Sequence, residues 1–139
     1  MRTFVAVVLA VCFTESSGAD DAKKELDRLQ GDWEIVRAEA GGKEIPIEQV
    51  RDKEYTLKGD ELIPSKSPKD PGKLDLKPEK KPAWLDLTDR DKKTMPGIYR
   101  VEGDRWEICL GDVGGTRPTE FKTTAESKTY LMVLQRKKK

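Results

Sequence analysis

The side chains that could do chemistry are few in kind, and most are carboxylates. The chain carries 26 Asp and Glu residues, two cysteines and no histidine. Without histidine there is no base for a Ser-His-Asp or Cys-His nucleophile, and the usual His-containing zinc and iron sites are excluded. Cys12 and Cys109 are too few to build a Cys-rich metal site. Asp86, Asp89 and Asp91 cluster near a turn, and oxygen ligands of this kind can hold Ca²⁺. The EF-hand spacing and its closing glutamate are absent, and Arg90, Lys92 and Lys93 interleave, so the cluster reads as a solvated turn. Two carboxylates could also serve as acid and base in glycoside hydrolysis, but so many acidic residues offer many pairs and single out none. No phosphate-binding Gly-x-x-x-x-Gly-Lys loop is present, and no Gly-x-Gly-x-x-Gly follows a strand. Gly111-Asp112-Val113-Gly114-Gly115 opens no predicted helix and reads as a hairpin loop. The sequence therefore predicts no catalytic residues, no cofactor and no metal.

The surface that would carry any partner is close to neutral. With 27 Lys and Arg residues the formal net charge is +1, and the charges, 38% of the chain, interleave in sign. That is the pattern of a solvated face. It argues against a nucleic-acid protein, whose affinity comes from neutralising phosphates. The closing Lys137-Lys138-Lys139 reads as a solubilising tail.

The N-terminus predicts export. Met1-Arg2 places positive charge before an apolar run over 3–13, and Ser17 and Ala19 supply small residues before a cleavage site at Asp20. That order is a secretory signal peptide over 1–19, leaving one domain over 20–139 in the periplasm or outside the cell. The run is roughly half the ~20 residues a membrane-spanning helix needs, so no membrane span is expected. Leu9-Ala10-Val11-Cys12 offers an alternative, a lipobox with the chain anchored through Cys12, although Val11 is bulky for that motif. Leader cleavage leaves Cys109 alone, so no intrachain disulfide can form and the core must carry the stability.

The elements that must position everything else are strands. A short helix is expected over 22–30, with Asp20 and Asp21 as N-caps and Gly31 where positive φ ends it. Strands are expected over 32–40, 54–58, 61–64, 73–77, 83–88, 97–102, 105–110 and 129–136, each with period-2 patterning between Gly, Pro and Asp clusters. A helical turn fits near 46–51. The first strand stops at Gly41-Gly42, and the Lys- and Pro-rich 65–82 stretch reads as a mobile loop or frayed hairpin. About eight short strands at even spacing suggest an antiparallel meander closed into a barrel or a sandwich. Cys109 alternates with Trp106, Ile108 and Leu110 and is expected on the opposite face as a packing residue. Glu120, in Pro118-Thr119-Glu120-Phe121, could aim a carboxylate into a barrel mouth. The preferred reading is a strand entry, with Phe121 buried and Glu120 bonded to nearby backbone.

Two sets of residues resemble a family. Gly31-Asp32-Trp33, after a short helix, is similar to the Gly-x-Trp signature of lipocalins. Leu29-Gln30-Gly31-Asp32-Trp33, Lys81-Pro82-Ala83-Trp84-Leu85-Asp86-Leu87-Thr88, Pro96-Gly97-Ile98-Tyr99, Ile108-Cys109-Leu110 and Arg117-Pro118-Thr119-Glu120-Phe121 occur in order. Together they resemble a lipocalin-like secreted domain family of unknown function, abundant in planctomycete-type bacteria, over most of the domain. The resemblance implies an all-β fold: a small barrel with Gly31 and Trp33 at one closed end and Arg136 packed across the Trp. It brings no catalytic residues.

The functional expectation is an exported barrel that holds a small apolar or amphipathic ligand, with Tyr55, Tyr99 and Trp106 lining its interior. The alternative is a cell-envelope protein-interaction module whose barrel is filled by its own side chains and takes no small ligand.

Overall fold

A computed structural model describes residues 18–137. The lipid-anchor reading at Cys12 lies outside the described residues, as does the leader reading at 1–19 apart from Gly18 and Ala19.

The helix, α1, spans Gly18–Leu29. It begins before residue 22, because Gly18 and Ala19 continue it backwards. Asp20 and Asp21 therefore lie in its first turn rather than capping it. There they act through charge on the positive end of the helix dipole, as Arg28 does at the other end. Ala22, Leu26 and Leu29 recur at helical spacing and pack against the main core.

Nine strands follow: β1 Gly31–Ala40, β2 Lys43–Ile45, β3 Glu54–Lys58, β4 Glu61–Pro64, β5 Gly72–Lys77, β6 Ala83–Thr88, β7 Thr94–Glu102, β8 Arg105–Leu110 and β9 Tyr130–Arg136. All pairings are antiparallel. β1 and β3 to β9 pair in sequence, and β9 returns to β1 from Trp33↔Arg136 to Ala40↔Tyr130. That last ladder closes an eight-stranded barrel and decides between barrel and sandwich. A register shift between Ile35 and Arg37 puts Val36 in a bulge, where β1 bends to join both neighbours.

β2 goes beyond the sequence expectation. Gly41 and Gly42 do not end the chain direction; both take positive φ, 61° and 77°. That is the geometry of a two-residue hairpin turn, and it folds β2 back on the end of β1. A 3-10 turn at Ile47–Gln49 then leads to β3. The strand expected over 73–77 is present as β5, so the 65–82 stretch is not a mobile loop throughout. β5 lies within it and pairs with β6 from Lys73↔Thr88 to Lys77↔Trp84. Its other ladder is short, holding only Glu61↔Lys73 and Leu62↔Gly72 with β4. α1 packs against β5 beside this narrow seam.

The barrel interior is filled. Trp33, Trp106, Leu57, Leu76, Leu85, Ile108 and Leu134 are all fully buried. Trp33 and Trp106 meet edge to face inside the barrel, ring centroids 5.3 Å apart, an arrangement that aromatic quadrupoles favour.

Candidate binding site at the barrel mouth

The two ends of the barrel are built differently. At the α1 end, the Trp33 indole N–H donates to the Leu29 carbonyl at 2.9 Å. The Arg136 guanidinium lies 4.4 Å above the Trp33 ring. It also donates to the carbonyls of Gln30 at 2.7 Å and Arg28 at 2.9 Å. Gly31 has a φ of +120°, and a Cβ there would sit 3.1 Å from Arg136 Nη1, so the glycine leaves room for the arginine. Gln30 ties the same corner to the β3–β4 turn by accepting from the Gly59 N–H and donating to its carbonyl. This end is sealed by saturated hydrogen bonds.

The three aromatic residues expected to line the interior are not equivalent. Trp106 has no solvent exposure, and its indole N–H has no hydrogen-bond partner among the described residues. Tyr99 is 2% exposed and sends its hydroxyl to Glu25 of α1 at 3.4 Å. Burial, and then the Glu25 charge, push its phenol well above the usual range. Both are wall-filling residues rather than cavity walls, because their neighbours already occupy the space.

Tyr55 differs. It lies at the start of β3, in register with Trp33, and shares a cavity with Tyr130 at the start of β9. Together with Ile45, Gln49, Val50, Arg51 and Asp52 these two line a cavity of about 330 Å³ that opens to solvent. The 46–53 connection roofs it, with Val50 buried and Ile45 and Ile47 packed on the core. Burial, the nearby Asp52 charge and Tyr130 push the Tyr55 phenol up to about 12, and burial raises that of Tyr130. Both rings therefore stay neutral through the physiological range. Asp52 Oδ1 is buried without a hydrogen-bond partner among the described residues. Two phenols, the Asp52 carboxylate and the apolar Ile45 and Val50 give this cavity a mixed polar and apolar lining. Sequence reading named Tyr55 as an interior-lining residue and named neither Asp52 nor Tyr130, which line the same cavity. Tyr130 opens the most apolar strand, and only barrel closure brings it to Tyr55.

Nothing among protein-family models, curated proteins or solved structures matches this chain. The geometry of the site therefore carries the argument alone.

Trp84, Ile98, Cys109 and Phe121, from the later segments behind the family resemblance, meet on the outer wall. Residues 111–129 form no strand and lie over β7, β8 and β9. Arg117 stacks 4.1 Å from the Trp84 ring, reaches Asp86 Oδ1 at 2.7 Å and donates to the Gly97 carbonyl at 2.8 Å. Phe121 and Trp84 pack on a small cluster of Ile98, Cys109 and Leu131. These residues fasten the loop to the barrel, which is a structural task. The strand entry expected at Glu120 is absent: Glu120 is exposed and pairs with Lys122 at 3.0 Å, not with backbone or the mouth. Asp89 Oδ1 accepts the N–H groups of Asp91 and Lys93, each at 2.9 Å, and so organises the β6–β7 turn. Among the described residues no group of three Cys, Asp or Glu side chains is placed to hold a metal.

Cys109 sits on the outward face of β8 yet has no solvent exposure, because the loop covers it. Its thiol points to the Lys122 carbonyl at 3.8 Å, and burial pushes it up to about 11. Alkylation by iodoacetamide at pH 8 is expected to be at least ~100-fold slower in the native protein than in urea, since only the thiolate reacts. Equal rates in the two states would show that the loop does not seal this face.

Proposed function

We propose that this is an exported lipocalin-like protein that binds a small amphipathic ligand at the mouth of its barrel, not in the interior. The observation that carries this reading is the solvent-open cavity lined by Tyr55, Tyr130 and Asp52. The filled interior supports the shift from calyx to mouth, since a ligand inside would have to displace Trp33 or Trp106. Concave sites with an apolar lining and a few placed polar groups are the usual form of small-molecule sites. Export rests on the charged, apolar and small-residue order over 1–19. No described helix is long and apolar enough to cross a membrane.

The filled interior also favours a second reading, an envelope module that binds a protein. A protein interface of the hydrophobic kind needs a contiguous exposed apolar patch. Val36 and Val113 are the large hydrophobic residues exposed among those described, and they lie on separate elements, so the ligand reading is preferred.

Intact mass of the protein made with its own leader in an exporting host separates these readings. The expected denatured mass starts at Asp20, and the expected native mass carries a non-covalent adduct that Tyr130→Ala loses. A lipidated Cys12 at the N-terminus would replace free export with anchoring. An adduct that survives Tyr130→Ala would move the ligand away from the mouth, and no adduct would favour the interaction module.

A further inference from the structure

The β5–β6 turn gathers positive charge around Trp84, the one tryptophan of three that keeps solvent exposure. Lys77 and Lys80 are the first and last residues of a β-turn, closed by the Lys80 N–H on the Lys77 carbonyl at 3.2 Å. Pro78 follows Lys77, and its fixed φ suits the second position of such a turn. Trp84 stands opposite Lys77 in the β5–β6 ladder, so their side chains leave the same face of the sheet. Turn and register together therefore set the three side chains side by side. The Lys80 ammonium lies 4.7 Å and the Lys77 ammonium 5.6 Å from the Trp84 ring centroid. The Arg117 guanidinium, at 4.1 Å, is the third cation on this ring.

These cations are not equally neutralised. Arg117 is held by Asp86 and the Gly97 carbonyl. Lys77 and Lys80 are exposed, and neither ammonium has an ion pair or hydrogen bond among the described residues. The carboxylates beside them in sequence lie with other cations: Glu79 lines a crevice with Lys24 and Arg28, and Asp75 lines another with Lys23 and Lys73. Attraction to an exposed ring is worth about 0.5–1 kcal/mol per cation. It draws both ammonium groups to Trp84 but leaves their like charges facing one another. We propose that Lys77 and Lys80 form a binding site for a tetrahedral oxyanion, a phosphate or sulfate group, with Trp84 as the platform that holds the two ammonium groups. Charge-assisted N–H donors of this kind are strong ligands for such oxygens. None of these residues lines the mouth cavity, so the site does not depend on the reading of the mouth.

The Trp84 indole N–H is the reporter, since Trp33 and Trp106 are fully buried. Inorganic phosphate and sulfate are titrated into the purified protein, with sodium chloride at the same ionic strength as the reference, and the indole signals are followed by NMR. Both oxyanions are expected to shift the Trp84 signal saturably, and chloride is not. The double variant Lys77→Gln, Lys80→Gln should weaken binding at least about tenfold, as loss of two charged donors requires. The double variant Lys66→Gln, Lys69→Gln removes the same charge from exposed positions in the β4–β5 connection and should bind as the parent does. Sedimentation with vesicles of phosphatidylcholine, alone or mixed with phosphatidate, separates the sources of the group. Phosphatidate-dependent sedimentation that the Lys77, Lys80 variant loses would assign the site to a lipid headgroup, and a response to the dissolved ions alone would assign it to a soluble anion. An equal shift with chloride, an equal loss in both double variants, or no response to ions or vesicles would overturn the site.

Discussion

Replacing Trp33 with alanine is expected to cost about 3–5 kcal/mol of folding stability, the range for deleting a large buried aromatic. The magnitude follows from what the ring holds. Trp33 is fully buried, contacts Trp106 edge to face, and donates to the Leu29 carbonyl. Its outer face carries the Arg136 guanidinium, which in turn bridges two carbonyls at the end of α1. Removing the indole opens a cavity at the α1 end of the core, strands a buried carbonyl and takes away the surface Arg136 lies on. Domains of this size have about 5–15 kcal/mol in total, so the variant should be largely unfolded at temperatures the parent tolerates. Urea unfolding followed by circular dichroism measures this. A loss below about 1 kcal/mol would mean that the α1 end is not closed through this ring.

The second large effect is expected at Gly97, where the obstacle is backbone rather than a missing contact. A Cβ there would lie 2.7 Å from the Cys109 carbonyl oxygen, 2.8 Å from Leu110 Cδ2 and 3.0 Å from the Leu85 carbonyl oxygen. Those atoms belong to the strands on both sides of β7, so neither can move away without spreading a ladder. Gly97→Ala should destabilise by at least the 1–3 kcal/mol typical of overpacking, about 2–4 kcal/mol here because two of the three neighbours are main chain. Gly59→Ala is the control. It has nothing within 4 Å of the new Cβ and suffers only from its φ of +62°, which costs roughly 1–2 kcal/mol. Paired thermal melts should place Gly97→Ala below Gly59→Ala, and the reverse order would refute the steric account.

Much of the fold is legible in the sequence because burial here follows period 2. Trp106, Ile108 and Leu110 alternate with exposed or outward residues, and β8 is found at the residues expected. Where the sequence misleads, a second physical requirement competes with alternation. At 41–42 the glycines break the pattern yet build a hairpin, so β2 goes unseen. At 65–82 the abundance of Lys and Pro suggests a loop, yet alternation within it marks the strand expected at 73–77, whose inward Leu74 and Leu76 are buried while Lys73, Asp75 and Lys77 face solvent. The site is less legible than the fold. Tyr55 and Tyr130 lie far apart in the chain and meet only because β9 returns to β1. Asp52 sits in a connection with no periodicity to mark it. Tyr99 and Trp106 look like Tyr55 in the sequence, as aromatic residues on inward faces, and only their depth along the barrel separates filling from lining.

The β4–β5 ladder has a further consequence for how the barrel breathes. Its two residue pairs are supplemented by the Leu74 N–H on the Asp60 carbonyl, and α1 lies across β5 beside it. Local opening concentrates where few backbone bonds hold an element, so this seam is the hinge line along which the wall can part. Amide exchange at the start of β5 then becomes a clock for the undocking of α1.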